Sequence, residues 1–217
     1  MTESIIKQSK IATEMEKNKI FAVVRTDNAQ KAIDISKALI DGGINLIEIT
    51  MGYDDAVTAI KKLSENTDIS VAAGSVITAD QAEKAINSGA KLIVSPILEM
   101  RLIKLCRAKK IPIITGAATP TEAYEAWKLG VSIIKVFPAK ALGGPRYIKD
   151  ILTPMPFLHL MPAGGVNFDN FTDYLDAGAV AVGMGNAFYA NETSYSAINK
   201  NAITVINKLN NYIKNTK

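Results

Sequence analysis

Only one of the 217 residues is a histidine, His159, and only one is a cysteine, Cys106. A zinc site built from several His or Cys ligands therefore cannot be assembled within one chain, and a disulfide framework is excluded. No motif calls for a cofactor. Long apolar runs are also missing: none approaches the roughly 20 residues of a membrane helix, although 48% of the residues are hydrophobic. A soluble chain with no membrane partner is expected. The start, Met1-Thr2-Glu3-Ser4, lacks the basic region and apolar core of a secretory signal, and with a lone thiol this leads to a cytoplasmic expectation. Neither sign of charge dominates, at +4 net and pI near 9.0. The lysines are scattered instead of forming a stripe with aromatics, which argues against a nucleic-acid partner. Small anionic substrates are compatible with that balance.

What the chain has is a repeated grammar. An amphipathic leading helix is expected over residues 1–18, with Ile5, Ile6, Ile11 and Met15 among polar neighbours. Then Ile20 to Arg25 reads as a strand, Asp27-Asn28 as a cap, and Ala32 to Leu39 as a helix closing at Gly42-Gly43. The same alternation recurs with strands at Leu46–Thr50, Ile69–Gly74, Leu92–Pro96, Ile111–Thr115, Ser132–Pro138, Leu158–Met161 and Ala179–Met184. A closing helix is expected over residues 194–213. About eight alternating units without a linker predict a TIM (β/α)8 barrel, with residues 1–217 as a single domain. A doubly wound sheet shares the alternation, but no Gly-x-Gly-x-x-Gly follows the first strand.

The most informative strand is Ser132-Ile133-Ile134-Lys135-Val136-Phe137-Pro138, where one lysine interrupts an apolar run. With a period of 2, Ile133, Lys135 and Phe137 share a face. Burial disfavours a protonated amine, and a neutral amine attacks ketones to form Schiff bases. The alternative is a lysine that snorkels out or pairs with a carboxylate. Glu48 shares the inward face of its strand with Leu46 and Thr50, so it meets Lys135 either as a structural ion pair or as a general acid/base. Pro162-Ala163-Gly164-Gly165 and Gly183-Met184-Gly185-Asn186 end the last two strands, where barrels often bind phosphate; glycine is also common there for steric reasons alone.

Ile47-Glu48-Ile49-Thr50, Ala73-Gly74-Ser75-Val76, Ser95-Pro96, Lys135-Val136-Phe137-Pro138-Ala139 and Pro162-Ala163-Gly164-Gly165-Val166, in that order, resemble the KDPG/KHG aldolase family. The resemblance runs from about Ile20 to Ala190. It implies a class I aldolase of carbohydrate metabolism, such as the Entner–Doudoroff route. Such an enzyme is usually a homotrimer without a metal, and it cleaves a 2-keto-4-hydroxy acid to pyruvate and an aldehyde, possibly phosphorylated. By resemblance, Lys135 forms the Schiff base and Glu48 shuttles protons. Gly74 and Ser75 bind the pyruvate carboxylate beside Thr50, Pro96 and Phe137 shape the wall, and Gly164, Gly165, Gly185 and Asn186 match the phosphate region.

The chain departs from the family pattern where Gly52 replaces a frequent arginine, for which Arg25 is the nearest substitute. It departs again at Ser75, Ala163 and Asn186, in place of threonine, threonine and serine. His159, Cys106 and Trp127 are expected as packing residues. Three other readings remain beside the gluconate-series aldolase: the galactonate-series enzyme, a barrel lyase or synthase that forms no imine, and a sugar-acid-binding regulator without turnover.

Overall fold

In the computed structural model, which describes residues 10–190 and 194–216, the alternation closes into a barrel. The elements are α1 (Lys10–Asn18), β1 (Ile20–Val24), α2 (Ala29–Asp41), β2 (Leu46–Thr50), α3 (Ala56–Ser64), β3 (Ser70–Gly74), α4 (Ala79–Asn87), β4 (Leu92–Val94) and α5 (Met100–Ala108). They continue with β5 (Ile113–Ala117), α6 (Pro120–Lys128), β6 (Ile134–Val136), α7 (Pro145–Leu152), β7 (Leu160–Pro162), α8 (Phe171–Asp176), β8 (Val182–Met184), a 3-10 turn (Asn186–Phe188) and α9 (Tyr195–Asn215). All neighbouring strands pair in parallel, β1 also pairs with β8, and a bridge between Ala163 and Gly183 with the Val180 N–H to Leu160 carbonyl bond closes the ring.

Strand alternation divides the core in two. Outward residues such as Ala22, Ile47, Ala73, Ile93, Ile134 and Val182 pack under the helices. Inward residues Phe21, Leu46, Leu92, Ile114, Ile133 and Met161 form the apolar lower layer of the barrel together with Met15 of α1. The helices start where caps set them. Thr78 and Thr119 each form a reciprocal capping box with the residue three positions on, which satisfies two otherwise orphaned N–H groups.

Several boundaries differ from the sequence expectation. Strand β5 begins two residues late, at Ile113, because the preceding Pro112 has no N–H for a ladder. Strands β7 and β8 also begin later, at Leu160 and Val182. Helix α8 covers only Phe171–Asp176, because Asn167 Oδ1 accepts from the N–H groups of Asp169 and Asn170 in a turn that replaces the first helical turn. The leading helix is described from Lys10, so Ile5 and Ile6 lie outside the described residues.

Cys106 is buried on α5, and burial pushes its thiol up to about 11. Trp127 packs between Tyr124 and Phe157 in a half-exposed aromatic stack. His159 is not a core residue. Its side chain is 32% exposed and lies 3.3 Å from Glu16 of α1, at the lower rim of the barrel.

Candidate active site

The strand register brings Lys135 and Glu48 together from opposite sides of the barrel. Lys135 follows Ile133 on the inward face of β6, and Glu48 follows Leu46 on the inward face of β2. Their side chains meet with Nζ 4.0 Å from Oε1. Both are buried, Glu48 to 1% and Lys135 to 6% exposure. At 4.0 Å the contact is an ion pair but not a hydrogen bond, so both Glu48 oxygens are without a protein donor. Burial pushes the Glu48 carboxyl above its ordinary value of 4.5, and the positive charges of Lys135 and Arg25 offset only part of that rise.

This polar level of the barrel exists because side chains are missing from it. Gly74, Gly116 and Gly183 occupy inward positions directly above Ala72, Ile114 and Ala181, which belong to the apolar lower layer. A Cβ on Gly74 would overlap the Glu48 carboxylate, and one on Gly116 would overlap the Pro96 carbonyl. At Gly74 the space that a regular barrel layer fills with a side chain is thus left to the Glu48 carboxylate.

The remaining expected residues lie at or just beyond the C-terminal ends of the strands. Thr50 is buried beside Gly74 with its hydroxyl unpartnered. Ser75 takes a left-handed φ of 58°, uncommon for a residue with a side chain. Phe137 lies at the exposed mouth, with Lys135 Nζ 5.3 Å from its ring centroid. Gly164, at φ 87°, has its missing Cβ position 3.2 Å from that ring. Gly165, at φ 88°, lies under the stem of Lys140. Arg25 is exposed one residue beyond β1, and its charge reaches Glu48. Asn186 is exposed at the start of the 3-10 turn after Gly185. Among the described residues no hydrogen bond ties Gly165 or Asn186 to Lys135 or Glu48.

Tyr189, whose hydroxyl bonds to the Val23 carbonyl and the Arg25 N–H, escaped the sequence reading. Among the described residues no three His, Cys, Asp or Glu side chains cluster as metal ligands would. A cavity of about 950 Å³ lies at the other end of the barrel, lined by residues such as Glu14, Met15, Ser70, Lys91 and Ser132. It holds none of the residues that converge at the mouth. In TIM barrels the chemistry belongs to the C-terminal strand ends, so volume is the poorer guide here.

Residues 11–209 match the family described as KDPG and KHG aldolase. A 2-dehydro-3-deoxy-phosphogluconate aldolase of Haemophilus influenzae is 37% identical over 166 residues, which are 76% of this chain and 78% of that one. A probable 2-dehydro-3-deoxy-6-phosphogalactonate aldolase of Rhizobium meliloti is 32% identical over 190 residues, covering 86% of this chain and 89% of its own. The crystal structure of KDPG aldolase from Legionella pneumophila, with pyruvate captured at low pH as a covalent carbinolamine intermediate, is similar with a TM-score of 0.83. It is 27% identical, and the match covers 91% of this chain and 98% of that one.

Proposed function

The chain belongs to the KDPG and KHG aldolase family, and from that premise we infer that Lys135 is the Schiff-base amine and Glu48 the proton shuttle of its reaction. The protein is a class I aldolase that cleaves a 2-keto-4-hydroxy acid into pyruvate and an aldehyde. Lys135 Nζ attacks the C2 carbonyl, and the carbinolamine loses water to give a protonated imine. Glu48 takes the proton of the C4 hydroxyl as the C3–C4 bond breaks, and the bonding pair flows into the imine to form an enamine while the aldehyde departs. Glu48 returns the proton to C3, and water releases pyruvate and the free amine.

The observation that carries this assignment is the burial of one lysine and one carboxylate 4.0 Å apart, with no hydrogen bond occupying the carboxylate. A carboxyl held above its ordinary value is suited to passing a proton both ways near neutral pH. Gly74 and Ser75 would receive the pyruvate carboxylate beside Thr50, with Arg25 supplying the charge that Gly52 does not. Pro96 and Phe137 would wall the pocket, and Gly164, Gly165, Gly185 and Asn186 would receive a phosphate on the aldehyde half. The test is borohydride reduction with pyruvate followed by peptide mapping. An adduct on Lys135 is expected; an adduct elsewhere, or none, overturns the assignment.

The series of the sugar acid is open to the same assay. Relatives of both the gluconate and the galactonate type match the chain, and comparing kcat/KM for the two epimers and for 4-hydroxy-2-oxoglutarate assigns it. A single-domain cytoplasmic homotrimer acting in Entner–Doudoroff-type breakdown is our further reading. It is supported by exposed Ile77, Ile97 and Met100 on neighbouring loops and helix ends around β3 and β4, which a second copy would cover. Light scattering reads the assembly directly, and a monomeric mass near 23.3 kDa overturns the trimer.

A further inference from the structure

Strand β8 ends one rung short of the point where the chain leaves β1 for Arg25. The Val182 N–H donates to the Lys19 carbonyl at 2.8 Å, and the pairs Ile20 with Val182 and Ala22 with Met184 fix the register. In a parallel ladder every second residue bonds to two successive peptide groups of its neighbour. Continued by one step, the register would set Asn186 between the Val23 carbonyl and the Arg25 N–H. The chain turns away instead. The Asn186 carbonyl accepts from the N–H groups of Tyr189 and Ala190, at 3.2 and 2.9 Å, inside the turn that follows.

One side chain takes the vacated place. The Tyr189 hydroxyl donates to the Val23 carbonyl at 2.9 Å and accepts from the Arg25 N–H at 2.9 Å. A phenol offers one donor and free lone pairs, so it can replace the N–H and C=O of a ladder residue. Tyr189 is 8% exposed, which shields both bonds from water. The approach also needs Gly185, whose missing Cβ position is 2.9 Å from the Val23 carbonyl oxygen and 3.7 Å from the phenol oxygen.

We propose that Tyr189 is a positioning residue for substrate binding: its phenol forms the last rung between β1 and β8 and fixes the backbone from which Arg25 reaches the keto-acid carboxylate. The proposal rests on the aldolase reading and deepens it, making a contact of the pyruvate end depend on a side chain 164 residues further along the chain. Gly52 offers no side chain at the mouth, so displacement of Arg25 is not compensated from β2.

Tyr189→Phe keeps the ring and removes only the hydroxyl. The expected result is a KM for the keto acid raised about fivefold with kcat held within about twofold. In an Arg25→Met background, adding Tyr189→Phe should change KM by less than about 1.5-fold, since both act through one group. Exchange of the Arg25 backbone amide, read by NMR, should speed up at least about tenfold in Tyr189→Phe. Multiplicative KM effects, or a normal KM with normal Arg25 exchange, overturn the role of Tyr189 while leaving the aldolase reading intact. A wild type without turnover overturns that reading and the substrate role of Arg25 together, and the amide exchange then judges the rung by itself.

Discussion

The two ends of this barrel are built from the same strands and obey opposite rules. At the lower end Phe21, Leu46, Leu92, Ile114, Ile133 and Met161 pack against Met15 with no polar atom among their side chains. Two residues further along the same strands, Glu48 and Lys135 are buried like their aliphatic neighbours, and the Glu48 carboxylate occupies the position left open by Gly74. Burying an unbonded carboxylate works against the fold. That it persists one layer above an apolar core marks the upper end as shaped by chemistry and the lower as shaped by stability.

Lys135→Arg strikes the comparison hardest. A guanidinium stays protonated and cannot act as the amine nucleophile, so turnover should fall to the uncatalysed background while circular dichroism stays that of the wild type. Residual activity within tenfold of wild type would dissolve the distinction between the two layers. Glu48→Gln comes next, with an expected loss of about 10²–10⁴ in single-turnover cleavage and some imine still trappable with pyruvate. Near-normal cleavage together with a large loss of stability would make Glu48 a charge partner only. The pH dependence sharpens this. Because the folded protein holds the Glu48 carboxyl above 4.5, it binds that proton more tightly than the unfolded chain does. The resulting stabilisation is complete below pH 4.5 and is lost as pH rises through the higher folded value. Denaturant titrations at stepped pH should show this downward slope in the wild type and its absence in Glu48→Gln.

Gly74→Ala tests whether the empty positions matter as much as the charged ones. A methyl there must displace the Glu48 carboxylate, and a misplacement of about 1 Å can cost about 10²-fold in rate. Cleavage within about threefold of the wild type would show that the carboxylate has room to move and that Gly74 is glycine for another reason.

These residues also mark how far the sequence carried. The period of 2 in Ile133-Lys135-Phe137 and Leu46-Glu48-Thr50 was enough to turn Lys135 and Glu48 inward, and the count of β/α units was enough for the barrel. Strand starts were less legible, because apolar residues such as Ile111 and Leu158 continue past the point where Pro112 or a turn ends the ladder. His159 looked like core because it lies in an apolar run between Leu158 and Leu160; strand alternation sends its own side chain toward Glu16. Tyr189 could not be found at all, since its partners lie in β1 at the far end of the sequence and only closure of the barrel brings them together.

The smallest effect is expected one rung below the lysine. Ile133 is on the same strand and the same face as Lys135, and it is 2% exposed in the apolar layer. Ile133→Val removes one buried methylene from that layer, for which about 0.5–1.5 kcal/mol of stability is the usual loss. The kcat per folded enzyme should stay within about twofold, because the strand above keeps its register and the Lys135–Glu48 contact is made by other atoms. Chemical denaturation reads the first quantity and borohydride-titrated active sites normalise the second. If so slight a change in the lower layer lowers kcat tenfold, the packing beneath Lys135 sets the position of its amine, and the two ends of the barrel are one catalytic unit instead of two regions with separate tasks.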